Sequence, residues 1–151
     1  MRRKGHRPAG RAAGWLGYGL VGAAAYLGGA LVSEQKIGTD HGDREGWPEG
    51  FEAVLKETDL ADNEMKSVEV AGMGVLLMRR NGSIHAIGNK CSHEGGPLSE
   101  GKYDGNCVVC PWHASRFALS TGAVVDGPAT FPQPFFETRV RDGQIEIRLK
   151  S

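Results

Sequence analysis

Four side chains that bind transition metals lie in two short segments of this 151-residue chain. Cys91 and His93 have one residue between them, and Cys110 and His113 have two. Sixteen residues separate the two pairs. Two thiolates and two imidazoles can hold one tetrahedral zinc ion. They can equally hold a two-iron cluster in which both sulfurs bind one iron and both nitrogens bind the other.

The distribution of the ligands favours the two-iron cluster. In zinc fingers the cysteines usually lie together on one knuckle and the histidines on another. Here each segment supplies one cysteine and one histidine, as a two-iron cluster requires if each loop is to contact both metals. A zinc site and a domain without metal are the alternatives.

The residues that flank the first pair fit a loop that approaches a cluster closely. Backbone N–H groups must reach the bridging sulfides, so the chain has to pass near them. Gly95 and Gly96 leave the backbone bare and able to adopt positive φ, and Pro97 stiffens the exit. The sequence therefore predicts two cluster-binding loops, at residues 91–98 and 110–117.

These segments, CSHEGGPLSEG and CPWHASRF, resemble the cluster-binding loops of Rieske-type ferredoxins. The resemblance covers about residues 50–150 and implies one [2Fe–2S] cluster per chain. It implies that Cys91 and Cys110 bind one iron. It also implies that His93 and His113 bind the other. The implied fold is all-β, a three-sheet antiparallel β-sandwich with an inserted cluster-binding subdomain.

Departures from the respiratory members of that family predict a lower reduction potential. Those proteins have two further cysteines joined by a disulfide, at the positions of Gly96 and Trp112 here. They also use a Ser and a Tyr as hydrogen-bond donors to the cluster sulfurs. Ser115 matches the first donor, whereas Phe117 replaces the second, and fewer donors stabilise the reduced form less. We expect a ferredoxin-like site, with Trp112 shielding the cluster from water.

The segment from residue 51 to residue 151 has the pattern of an antiparallel β domain. Short apolar or alternating runs are separated by turn residues every eight to twelve positions. Asn81-Gly82 and Asp142-Gly143 are two-residue hairpin signals, and each is flanked by alternating residues. This domain pattern agrees with the fold that the resemblance implies.

The N-terminal third has a different composition. Residues 1–40 carry six Lys/Arg and two Asp/Glu, and the rest of the chain carries twelve and sixteen. A basic arm at 1–11 precedes twenty-one uncharged residues at 12–32, which are long enough for a transmembrane helix. A Gly-rich and charged segment, 33–50, is typical of a linker. A basic arm before an acidic domain indicates a membrane partner and no nucleic acid.

Two other interpretations of residues 12–32 are a secretory signal peptide and a soluble helix. The uncharged run is longer than a usual signal core, and no clean cleavage site follows it. The run also resembles the last helix of a bacterial membrane domain that occurs fused to Rieske domains. That resemblance implies attachment to the bacterial cell membrane, with other helices as possible neighbours. The basic N-terminus favours a cluster domain on the extracytoplasmic face.

The expected function is one-electron transfer between redox proteins, a reductase and an acceptor. A self-contained oxygenase would add an iron held by two histidines and a carboxylate, and no histidine follows residue 117. We therefore expect no catalytic residue in this chain. The alternatives are the electron-donating component of a separate Rieske oxygenase system, or a structural or sensory metal domain.

Overall fold

The computed structural model describes residues 7–34 and 38–150, which divide into two compact units. The first unit is Met1–Thr39 and the second is Asp40–Ser151. Residues 1–6 of the predicted basic arm lie outside the described residues. Residues 40–50, which we predicted to be part of a linker, belong to the second unit.

The first unit contains one helix, α1 (Arg7–Ser33). Pro8 suits the first turn, where its missing N–H costs no hydrogen bond. At its other end, the Ser33 hydroxyl donates to the Gly29 carbonyl at 2.8 Å. Twenty-seven residues make a helix of about 40 Å, and a span needs about 20 residues. The helix is therefore long and apolar enough to cross a membrane, a property that signal sequences share.

The second unit is mostly β, with ten strands among its described residues. They are β1 (Glu52–Lys56), β2 (Met65–Val70), β3 (Met73–Arg80), β4 (Ser83–Gly88), β5 (Lys102–Asp104), β6 (Cys107–Val109), β7 (Arg116–Ala118), β8 (Val124–Asp126), β9 (Phe135–Arg141) and β10 (Gln144–Leu149). Two short 3₁₀ turns lie at Glu57–Asp59 and Leu98–Glu100.

Two-residue turns connect three of the hairpins. Asn81 and Gly82 have φ of 48° and 76°, and Asp142 and Gly143 have φ of 50° and 73°. Positive φ at both positions gives the turn a twist that matches the flanking strands. The β2–β3 hairpin uses the same conformation at Ala71 and Gly72.

The strands form a base sheet and a cluster sheet. The base sheet has the order β1-β10-β9-β4-β3-β2, and the cluster sheet has the order β5-β6-β7-β8. Only two residue pairs, Ala86 with Phe136 and Ile87 with Phe135, join β4 to β9. The described residues thus form two hydrogen-bonded sheets where we expected three, because this short ladder joins β1-β10-β9 to β4-β3-β2.

Strand β3 is buried on both faces and separates two apolar cores. Val75 and Leu77 lie in a core that also contains Trp47, Phe136 and Ile145. Leu76 and Met78 lie in a second core, which contains the cluster-loop residues Cys91, Leu98, Cys110 and Phe117. A continuous apolar run suits a strand of this kind, because successive side chains point to opposite faces. Through β3 the base sheet supports the cluster-binding loops.

Candidate metal centre

Two loops of the same hydrogen-bonded form carry the four predicted ligands. In the first loop the Cys91 N–H donates to the Gly96 carbonyl, and the Gly95 N–H donates to the Cys91 carbonyl. In the second, the Cys110 N–H donates to the Ser115 carbonyl, and the Ala114 N–H donates to the Cys110 carbonyl. Each loop is therefore a tight turn that begins at its cysteine.

Corresponding residues of the two loops also share an unusual backbone conformation. Gly95 has φ of 77°, and Ala114, four residues after its own cysteine, has φ of 58°. L-residues other than glycine pay a strain of roughly 1–2 kcal/mol in this region. The second loop accepts that strain without a glycine.

The thiols of Cys91 and Cys110 are buried and adjacent. The two residues are 1% and 4% exposed, and both lie in the same apolar core. Burial raises the pKa of the Cys91 thiol to about 11, and Cys110 acts in the same direction. The backbone groups of His93 and Glu94 oppose this rise in pKa by hydrogen bonding to the sulfur. Metal ligation requires the thiolate, which a bound cation stabilises.

The two imidazoles are paired separately from the thiols. The ring centroids of His93 and His113 are 4.9 Å apart, with the ring planes at 90°. The His93 Nδ1 atom is buried and has no hydrogen-bond partner among the described residues. Buried polar atoms nearly always have a partner, so this nitrogen fits a metal-ligating atom. Paired thiols and paired imidazoles match the donor set of a [2Fe–2S] cluster with two irons.

The side chain of Trp112 lies against Gly96 of the other loop. A Cβ added to Gly96 would be 3.0 Å from the Trp112 Cδ2 atom and 3.0 Å from the Cys110 sulfur. Gly96 is thus required by a close approach between the loops. Trp112 is 57% exposed, and its ring centroid lies 6.5 Å from that of His113. That Trp112 shields the cluster stays a prediction.

The two predicted tuning residues, Ser115 and Phe117, are both fully buried beside the cysteines. The Ser115 Oγ accepts a hydrogen bond from the Ala129 N–H at 3.1 Å. A hydroxyl that accepts through a lone pair still has its hydrogen to donate. Ser115 therefore keeps a hydrogen to donate, and that it donates to a cluster sulfur stays a prediction. Phe117 packs in the same core as Cys91 and Cys110 and has no donor to offer.

A third loop, which the sequence did not identify as part of the site, contacts both cluster-binding loops. We call residues 126–134 the proline loop. A Cβ on Gly127, which has φ of 94°, would be 2.6 Å from the Ser115 Cα. Phe131 lies beside the first loop, because its carbonyl accepts a hydrogen bond from the Ser92 Oγ at 2.6 Å. Three prolines in a short stretch were the only signal of this loop.

Ser92, which lies between two predicted ligands, is fixed by three residues from two segments, the proline loop and the chain around His41. The side-chain oxygen of Gln133 accepts from the Ser92 N–H at 2.7 Å, and its amide nitrogen donates to the Lys90 carbonyl at 3.0 Å. The His41 N–H donates to the Ser92 carbonyl at 2.9 Å. Together with the bond to Phe131, every polar group of Ser92 has a partner. Residues 40–43 therefore pack against the first loop, with Asp43 also pairing with Lys90.

A mostly β domain that presents two Cys/His loops at one end of a small sheet is the scaffold of a two-iron protein. The Rieske [2Fe–2S] domain matches residues 50–137. The chain belongs to this family, whose members bind a [2Fe–2S] cluster. This membership confirms the predicted cofactor and the mostly β Rieske fold.

Two similar proteins differ in how much of their length this chain matches. The chain is 36% identical over 96 residues to human apoptosis-inducing factor 3, matching 64% of this chain and spanning only 16% of that protein. It is 34% identical over 95 residues to a Photorhabdus laumondii 3-phenylpropionate/cinnamic acid dioxygenase ferredoxin subunit, covering 62% of this chain and 90% of the subunit.

A solved structure of similar fold is the ferredoxin of carbazole 1,9a-dioxygenase from Nocardioides aromaticivorans IC177. The TM-score is 0.62 at 27% identity, and the match covers 66% of this chain and 98% of the ferredoxin. The similarity thus covers the β domain and nearly the whole of a ferredoxin.

Proposed function

We propose that this chain carries single electrons between redox proteins, with Cys91 and Cys110 binding one iron of the cluster. His93 and His113 bind the other iron. When bound, the cluster supplies one-electron chemistry. The thiolates are enclosed by the apolar core, whereas the residues around His113 are exposed. The proposal rests on this arrangement, in which the sulfurs are buried and the imidazoles lie near the surface.

The surface around the histidines suits a docked protein. Trp112, Val125 and Phe131 are 57%, 54% and 40% exposed. Exposed aromatic groups that adjoin a functional site favour protein contacts, since they bury a large area on binding. The imidazole of His113 lies beside Trp112, so a partner that covers this tryptophan comes close to the cluster. We propose that donor and acceptor dock here in turn.

The names of the relatives suggest the kind of partner. Two of the similar proteins are ferredoxin components of dioxygenases, so one proposed acceptor is the terminal oxygenase of a separate system. The donor would then be a reductase. The similarity to apoptosis-inducing factor 3 covers only a small part of a longer protein, so it supports a Rieske domain in a different assembly. A structural or sensory cluster is the second candidate.

Metal analysis of purified protein tests the ligand assignment. We expect about two iron atoms and two sulfides per chain, and a reduced form with the low average g-value of a histidine-ligated cluster. A colourless protein with one zinc per chain would contradict the proposal.

A pair of cysteine variants tests which residues bind the cluster. Cys107→Ser should retain the cluster while Cys110→Ser should lose it, since of these two only Cys110 lies at the start of a ligand loop.

We further propose that α1 attaches the domain to the bacterial cell membrane. The proposed organisation is a basic arm at 1–11, a transmembrane helix at 12–32 and a Rieske domain at 51–151, with residues 33–50 between them. Five Lys/Arg in residues 2–11 support an N-terminus that stays cytoplasmic. The domain would then lie on the extracytoplasmic face.

A further inference from the structure

A second polar site lies at the other end of the cluster sheet from the ligand loops. It is a cavity of about 180 Å³ between the β3–β4 hairpin and the cluster sheet. The residues that line it lie in or next to three turns of the chain. Arg80 and His85 come from the hairpin, Asn106 from the β5–β6 turn and Ser120 from the chain after β7. Since a water occupies about 30 Å³ in the liquid, the cavity has room for a small polyatomic ion.

The lining of this cavity offers hydrogen-bond donors and one positive charge. Its lining residues include one arginine, Arg80, together with two asparagines, Asn81 and Asn106, and two serines, Ser83 and Ser120. No Asp or Glu is among the described residues that line it. A cavity that is lined by hydrogen-bond donors and by no carboxylate favours a bound anion.

The charge of Arg80 is held in place and is not neutralised by a carboxylate. Its guanidinium lies over the Tyr103 ring, 4.1 Å from the centroid. Among the described residues, no Asp or Glu forms an ion pair with it. A guanidinium that is pre-positioned by stacking loses little freedom when it binds a ligand. Its forked donors match the oxygens of phosphate groups.

His85 lines the same cavity as Arg80. Burial lowers the pKa of His85, and the nearby Arg80 guanidinium lowers it further. The imidazole is consequently neutral at pH 7, and it can donate one hydrogen bond without adding a second charge. The site thus presents one cation surrounded by neutral donors.

We propose that this cavity binds a small phosphate-class oxyanion, with the Arg80 guanidinium as its charged partner. The donors come from three separate segments of the chain, so they surround a tetrahedral group more fully than a planar carboxylate. The site is distinct from the metal centre, because Asn106 and Cys110 lie at opposite ends of strand β6. Binding would link the base sheet to the cluster sheet.

Calorimetric titration of the full-length holoprotein in a nonionic detergent tests the proposal. Inorganic phosphate is added at constant ionic strength, with sodium chloride and malonate as the comparison anions. We expect saturable binding of one phosphate per chain, with no saturable binding of chloride and weaker binding of malonate. Arg80→Gln should weaken phosphate binding by about tenfold or more, because it removes a charge-assisted contact. Asn106→Ala should weaken it to a smaller extent.

Arg141→Gln is the matched control, because it removes the same charge from an exposed arginine of the β9–β10 hairpin. It should leave phosphate binding unchanged. The visible absorption of the cluster shows that each variant is folded, and it does not depend on whether the protein transfers electrons. Absence of saturable phosphate binding, equal binding in Arg80→Gln, or tighter binding of malonate would each overturn the proposal.

Discussion

At the scale of single residues, we propose that the two buried side chains Ser115 and Phe117 determine how well the reduced cluster is stabilised. Ser115 has a hydroxyl hydrogen to donate, and its oxygen is held by Ala129. Phe117 has the same buried location beside the cysteines without a donor. Since reduction adds negative charge, each donor to a sulfur raises the reduction potential.

We predict that Phe117→Tyr raises the reduction potential. The added phenol can donate to a ligand sulfur, whereas the wild type should lie in the lower half of the roughly −150 to +300 mV range of Rieske centres. Ser115→Ala is the counterpart and should lower the potential. Protein-film voltammetry of the three proteins measures both shifts. Identical potentials in all three would refute the hydrogen-bond argument.

Gln133 acts on the same site from the proline loop. We predict that Gln133→Leu shortens the lifetime of the cluster, because it leaves the Ser92 N–H and the Lys90 carbonyl without the partner they have now. An unsatisfied buried group costs about 1–3 kcal/mol. The measurement is the decay of cluster absorbance at raised temperature. Gln144→Leu, a substitution on β10 of the base sheet, is the control and should decay like the wild type.

At the scale of elements, the two ligand loops form the same kind of turn, but the two glycines of the first loop have different roles. Gly95 supplies positive φ, which Ala114 adopts without being a glycine. Gly96 supplies space, because a Cβ at this position would be only 3.0 Å from the Cys110 sulfur and from the Trp112 ring. Strain from a positive φ is small, whereas a clash with a ligand sulfur displaces the ligand.

We predict that Gly96→Ala purifies with much less than two iron atoms per chain. Gly95→Ala is the matched control, since its Cβ would meet only the Lys90 side chain, at an ordinary 3.6 Å. This control should keep its full iron content and lose roughly 1–2 kcal/mol of stability from the strained backbone. Iron analysis and thermal unfolding test the pair. Equal iron content in both variants would show that the two loops do not approach each other this closely.

The same elements show what could be predicted from the sequence. Asn81-Gly82 and Asp142-Gly143 predicted two hairpins, because this turn chemistry is local and few residues tolerate positive φ. Strand β1 (Glu52–Lys56) was not predicted, since EAVLK lacks alternation and pairs with β10 some ninety residues later.

In the candidate site, too, some residues could be predicted from the sequence and others could not. The four proposed ligands and the residues next to them are recognisable because cysteine, histidine and glycine at this fixed spacing are typical of metal-binding loops. Gln133 and Gly127 could not be found, because their contribution depends on contacts across more than ten residues of chain. A buried glutamine has no signature of its own in the sequence.

At the scale of the whole molecule, the chain has two units with separate proposed tasks. The β unit contains both cores and all the proposed ligands, so we expect it to fold without α1. The unit begins at Asp40, and its first residues contact the first ligand loop. A truncation therefore has to end before residue 40 if it is to leave the site intact.

We predict that removal of residues 1–33 releases a soluble domain that keeps its cluster. The full-length protein should stay in the membrane fraction after a carbonate wash, because α1 can span the bilayer. Full-length protein in the soluble fraction would contradict the membrane attachment. Protease added to intact spheroplasts then tests sidedness, since it cuts the domain only if the domain faces outward.

Because the cysteines are buried, the rate at which their thiols are chemically modified reports how often the structure around them opens. Cys91, Cys107 and Cys110 are 1%, 9% and 4% exposed, and none forms a disulfide. A water-soluble alkylating reagent can reach Cys107 only after the surrounding chain moves aside, so its rate of modification equals the frequency of that movement when closing is slow. Cys91 and Cys110 would react only after the proposed cluster has also been released. Because Cys107 lies on strand β6 and the other two are proposed ligands, peptide mapping of the alkylated protein would distinguish opening of the sheet from loss of the cluster.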